Sequence, residues 1–88
     1  MFVILAYDVN EKRVNLINSI CSKYLIWRQN SLFTGNLRES SLKMLENELR
    51  ELIVPNEDYI SIFLFPSNVR FKVVEIGIKR YENHQVIW

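Results

Sequence analysis

Glycine and proline are scarce, two of each in 88 residues. That scarcity excludes a linker-like or disordered chain, since apolar types make up 49% of the sequence. The single cysteine, Cys21, has no partner within the chain, so a disulfide scaffold is excluded. No apolar run approaches the ~18 residues of a membrane span. The run Phe2–Tyr7 is too short for a signal core, lacks basic residues before it and ends at Asp8. A cytoplasmic, reduced protein with no membrane association is the expectation. There is no phosphate-binding glycine loop, because the glycines are only Gly35 and Gly77. The lone His84 gives no catalytic triad and no zinc spacing with Cys21. The length allows one domain, residues 1–88.

What is present is apolar sequence in excess. A chain this short buries only roughly 60–65% of its unfolded surface. Some of its apolar surface is therefore expected against a partner chain. The formal charge is only +1, which does not mark a nucleic-acid binder. The charge is uneven, however. Residues 1–44 carry six basic and three acidic side chains, while residues 45–88 carry five and seven.

Phe2–Tyr7 is apolar on both parities and reads as a buried central strand. Asn10 is placed to cap a helix over Glu11–Leu25, with Val14, Ile17, Cys21, Tyr24 and Leu25 as its apolar stripe. Trp27–Thr34 alternates as one long strand or a bent pair, and Gly35-Asn36 suggests the turn after it. Glu39–Ile53 is a helix striped by Leu42, Leu45, Leu49 and Leu52 and stopped by Pro55. Tyr59–Phe65 and Phe71–Ile78 alternate as strands, and Gln85–Trp88 reads as a short apolar strand. This order gives an α+β, ferredoxin-like βαββαβ sheet with two helices on one face and an extra C-terminal strand. The other sheet face is too apolar for one chain to cover. A face-to-face homodimer follows.

Asp8 is the sharpest chemical feature. A carboxylate that ends a buried strand can hold a hard cation such as Mg²⁺, or can simply bond loop amides. Two copies brought together by dimerisation strengthen the first reading. Lys12, Arg13, Lys23, Arg28 and Arg38 are candidate phosphate contacts, with a solvated helix face as the plain alternative for Lys12, Arg13 and Lys23. Arg28 stands beside Trp27 and Asn30, a mixture suited to nucleic acid. Gln29 and Ser31 share strand parity with Trp27 and either form a hydrogen-bond network or reach toward Asp8. An RNA-recognition module has the same element order, but YISIFLF lacks its glycines and basic residue.

The strings MFVILAYDVN, WRQNSLFTGNL and YISIFLF, with Tyr7-Asp8 and Gln29-x-Ser31-x-Phe33-x-Gly35, resemble the CRISPR-associated endoribonuclease family, the small second core protein of CRISPR adaptation. The resemblance implies a prokaryotic, ferredoxin-like homodimer whose C-terminal strand, here Val86, Ile87 and Trp88, packs on the partner subunit. It implies that Asp8 of each subunit meets near the two-fold axis and binds Mg²⁺. A metal-dependent endonuclease acting on RNA, or on double-stranded DNA, is then expected. Asp8 would be the catalytic metal ligand, Tyr7 and Ser31 would orient water or phosphate, and Lys12, Arg13 and Arg28 would bind nucleic acid. The alternative role is a non-catalytic scaffold that bridges the CRISPR integrase and holds spacer DNA. The sequence departs from the family at Trp27, where many members carry arginine. Arg28 lies one residue later, and a one-residue shift in a strand reverses the side chain's face.

Overall fold

A computed structural model describes residues 1–68, 70 and 72–78. Its elements are β1 (Phe2–Asp8), a single 3₁₀ turn (Glu11–Arg13), α1 (Val14–Ser22), β2 (Ile26–Gln29), β3 (Leu32–Asn36), α2 (Glu39–Leu52) and β4 (Tyr59–Phe65). The strands form one antiparallel sheet in the order β2-β3-β1-β4, with β1 central between β3 and β4. This is the expected ferredoxin-like arrangement.

Strand alternation divides the sheet into two faces. Val3, Leu5 and Tyr7 of β1 are buried, as are Trp27 and Phe33. They lie with Ile17 and Cys21 of α1 and with Leu42, Leu45 and Leu49 of α2 in one core. The α2 stripe is the one that the leucine spacing predicts. Burying each such side chain contributes about 1.5–3 kcal/mol. Burial also pushes the Cys21 thiol up to about 12, so the cysteine serves as packing.

The caps follow the sequence. The Asn10 side chain accepts from the Lys12 N–H at 3.0 Å. The expected helix over Glu11–Leu25 is shorter, because Tyr24 and Leu25 belong to the turn into β2. Leu25 still reaches the core, which explains its place on the apolar stripe. At the far end of α2 the chain turns extended at Ile53, two residues before Pro55.

In the middle of the chain one expectation is met and one is corrected. Trp27–Thr34 forms the bent pair, a hairpin rather than one long strand. A register irregularity separates Trp27 from Gln29, and Asn30 takes a left-handed φ of 43° at the bend. Trp27 and Phe33 therefore face the core while Gln29 pairs with Leu32 on the opposite face. Gly35 is not a turn residue. It lies inside β3 opposite Val3, where an added Cβ would meet Leu25 Cδ2 at 3.1 Å. The glycine admits Leu25 to the core.

A strand over Phe71–Ile78 is also corrected. The described residues 72–78 form none, and Phe71 lies outside them. Alternation reports which positions are suited to burial, not which strand will pair with them. Val74, Ile76 and Ile78 are 80–94% exposed. The segment flanks β2 and β3, with Arg28, Thr34, Glu75 and Ile76 lining the groove between them. The expected strand at Gln85–Trp88 lies outside the described residues.

Candidate functional site

Asp8 is the last residue of β1 and is exposed. Alternation sets it on the face opposite the helices, with Phe2, Ile4 and Ala6. Its register partner is Tyr59, the first residue of β4, and Ser61 stands opposite Ala6. Among the described residues the Asp8 carboxylate has no hydrogen-bond or ion-pair partner. An exposed carboxylate ends a strand whose preceding residues are locked by ladders on both sides. It is free to bind an external cation or donor.

One carboxylate per chain is a thin ligand set. Among the described residues no group of three or more His, Cys, Asp or Glu could hold a metal ion. A hard cation such as Mg²⁺ keeps most of its waters and takes one or two carboxylates plus substrate phosphate. The donor chemistry of Asp8 fits that mode. It does not fit a cage built by a single chain.

Tyr7 does not join Asp8. Adjacent strand residues point to opposite faces, so the Tyr7 ring is buried toward α1 and its hydroxyl donates to Asn18 Oδ1. Burial pushes this hydroxyl up to about 12. Its role is packing and anchoring of α1, which corrects the orienting role expected of it. Ser31 comes closer. It lies in the β2–β3 hairpin, and its carbonyl accepts from the Tyr7 N–H at 3.2 Å, beside the end of β1.

The basic residues divide. Lys12 is exposed on the 3₁₀ turn that follows Asp8. Arg28 is half-buried, with Nη2 3.4 Å from Glu75 Oε1, an exposed carboxylate. Arg13 is committed internally. Its Nε donates to Asp58 Oδ2 at 2.6 Å, and its Nη2 donates to Asp58 Oδ1 at 3.0 Å and to Glu57 Oε1 at 2.8 Å. The Arg13 fork holds the Asp58 carboxyl well below the usual carboxylate range, helped by the Val54 and Asn10 amides. The same bonds raise the guanidinium further. Arg13 is therefore not a free phosphate contact, a correction whose cause is two carboxylates distant in sequence. Trp27 is also removed from any base-stacking role, since it is buried and its Nε1 donates to the Asn30 carbonyl at 2.9 Å.

Asp58 is the residue that sequence reasoning missed. Its side chain is fully enclosed and accepts from the Asn10 N–H and the Val54 N–H, each at 2.8 Å, as well as from Arg13. An acid at a strand start gives no sign that it is buried, and its partner is 45 positions away. The expected dimer residues Val86, Ile87 and Trp88 lie outside the described residues.

A family model described as CRISPR associated protein Cas2 matches residues 1–73. The chain is 42% identical over 80 residues to CRISPR-associated endoribonuclease Cas2 2 of Archaeoglobus fulgidus, covering 91% of this chain and 87% of the relative. It is 39% identical over 83 residues to the CRISPR-associated endoribonuclease Cas2 of Thermotoga maritima, covering 94% and 95%. Among solved structures, one described as a crystal structure of cas2 superposes with a TM-score of 0.73 at 43% identity, covering 86% and 87%. The crystal structure of Streptococcus pyogenes Cas2 at pH 6.5 superposes with a TM-score of 0.74 at 26% identity, covering 88% and 100%.

Proposed function

The chain belongs to the Cas2 family of CRISPR-associated proteins, and from that premise we propose that it is an endoribonuclease that uses Asp8 as its metal ligand. The observation that carries the reading is the exposed Asp8 carboxylate, without a described partner, at the end of the central strand of the sheet. The relatives named as endoribonucleases support the reaction class. The protein works in the cytoplasm of a prokaryote, and no helix among the described residues is long and apolar enough to cross a membrane.

The working unit is a homodimer joined through the open sheet face. Tyr59 and Phe63 on that face are 69% and 53% exposed, as expected of surface that a second copy covers. Asp8 shares the face, and with its two copies near the two-fold axis, as the family resemblance implies, the ligand set would double. Bound there, Mg²⁺ would polarise the phosphodiester and lower the pKa of a water. The chain's own residues supply the rest. Asp8 fixes the cation's position through a backbone held on both sides. Lys12 and Arg28 take substrate phosphate by charge, and Ser31 stands at the hairpin beside the strand end. The same basic residues suit double-stranded DNA.

Capture of spacer DNA and bridging of the CRISPR integrase form a second role of the same dimer. The exposed run Val74, Ile76 and Ile78 favours it, because apolar side chains this open invite a partner strand. Cleavage of a labelled RNA before EDTA, after EDTA and after Mg²⁺ is restored tests the metal role. The expected sequence is activity, none, and recovery. Cleavage untouched by EDTA contradicts it.

A further inference from the structure

One carboxylate fastens both strand ends around Asp8. Asp58 is enclosed, immediately precedes Tyr59, and Tyr59 is the register partner of Asp8. Its Oδ1 accepts from the backbone N–H of Asn10, two residues beyond Asp8. Its Oδ2 accepts from the N–H of Val54, at the exit of α2. The Arg13 fork then ties both oxygens to the turn that leads into α1. Three chain segments therefore converge on one side chain: the exit of β1, the entry to α1 and the loop before β4.

Asp8 has no described side-chain anchor, so its place depends on its backbone. On one side that backbone is held by the bond from Tyr7 N–H to the Ser31 carbonyl. On the other it is held by the bond from Asn10 N–H to Asp58. We propose that Asp58, braced by Arg13, is a positioning residue that fixes the Asp8 carboxylate for cation binding. The inference rests on the reading of Asp8 as the metal ligand. Partners bonded directly to a metal ligand commonly affect metal affinity by about 10–100-fold, and Asp58 acts one step further out, through the backbone. Arg13 and Lys12 thus have different duties although they are neighbours: one braces the site and the other faces the substrate.

The test measures Mn²⁺ binding to the full-length protein by electron paramagnetic resonance, with Mn²⁺ as the only ligand. Asp58→Asn replaces one acceptor oxygen by an amide that opposes its N–H donors. Arg13→Gln removes the fork and leaves Asp58 on its two backbone amides. Circular dichroism establishes that each variant is folded. The expected result is a Mn²⁺ affinity several-fold weaker in Asp58→Asn, up to roughly 10-fold. The metal concentration for half-maximal RNA cleavage rises in parallel, while the rate at saturating metal largely recovers. Folded variants with unchanged Mn²⁺ affinity overturn the inference. Loss of fold in both variants also overturns it, because the network is then a stability element alone. Asp8→Ala separates the two levels. If Asp8→Ala keeps Mn²⁺ affinity, the metal-ligand reading itself fails. If Asp8→Ala loses it and Asp58→Asn does not, only the positioning role fails.

Discussion

Asp8 and Tyr59 are register partners at the end of the β1–β4 ladder, and the residue just before Tyr59 fastens the chain just beyond Asp8. The exposed carboxylate thus sits at a strand end braced from both sides while making no described side-chain bond of its own. Its chemistry and its stability contribution are separable.

That separation predicts a near-neutral effect of Asp8→Ala on folding. An exposed side chain with no partner among the described residues should change stability by less than about 0.5 kcal/mol when truncated. Urea unfolding of the variant and the parent should give midpoints that coincide. A large drop would mean that Asp8 holds the fold, and any loss of activity would then be ambiguous.

The leucine stripe of α2 predicts a sharp contrast between positions. Leu45 is fully buried, while Leu16 on the outer side of α1 is 53% exposed. Leu45→Ala should cost about 2–5 kcal/mol through lost transfer energy and a residual cavity. Leu16→Ala should stay within about 0.5 kcal/mol. Denaturant titration of the two variants distinguishes them, and equal costs would contradict the helix orientation.

Asp58 predicts the acid limb of stability. Its carboxyl, ordinarily near 3.8, is held lower when folded by the Arg13 fork. Above the ordinary value, folded and unfolded chains are both ionised, and the full stabilisation is present. As pH falls below it, the unfolded chain takes up the proton first, so stability declines toward the folded value. Urea midpoints from about pH 6 to about pH 2.5 should fall more steeply for the parent than for Asp58→Asn. Parallel curves would contradict the ion pair.

Much of this was legible in the sequence. A continuous apolar run located β1, helical spacing α2 and alternation β4, and Asn10 and Pro55 marked helix ends for local reasons. The failures were non-local. The bent pair over Trp27–Thr34 is legible, but the irregularity after Trp27 separates the faces of Trp27 and Gln29, which no parity count across a bulge can foresee. Gly35 looked like turn chemistry because its close neighbour, Leu25, is ten positions away. Tyr7 and Asp8 were read as a pair, yet adjacent strand residues serve opposite faces. Arg13 looked like a free cation because Glu57 and Asp58 reach it only after the sheet forms. Asp8 was visible because a carboxylate interrupts an apolar run, a signal that needs no tertiary information.

The central claim is tested most directly by the rate at which Asp8→Ala cleaves RNA in saturating Mg²⁺, beside parent protein purified identically. If Asp8 holds the cation, the rate should fall at least ~100-fold, about 2.7 kcal/mol of barrier, with the fold intact. An undiminished rate in the folded variant would contradict the assignment.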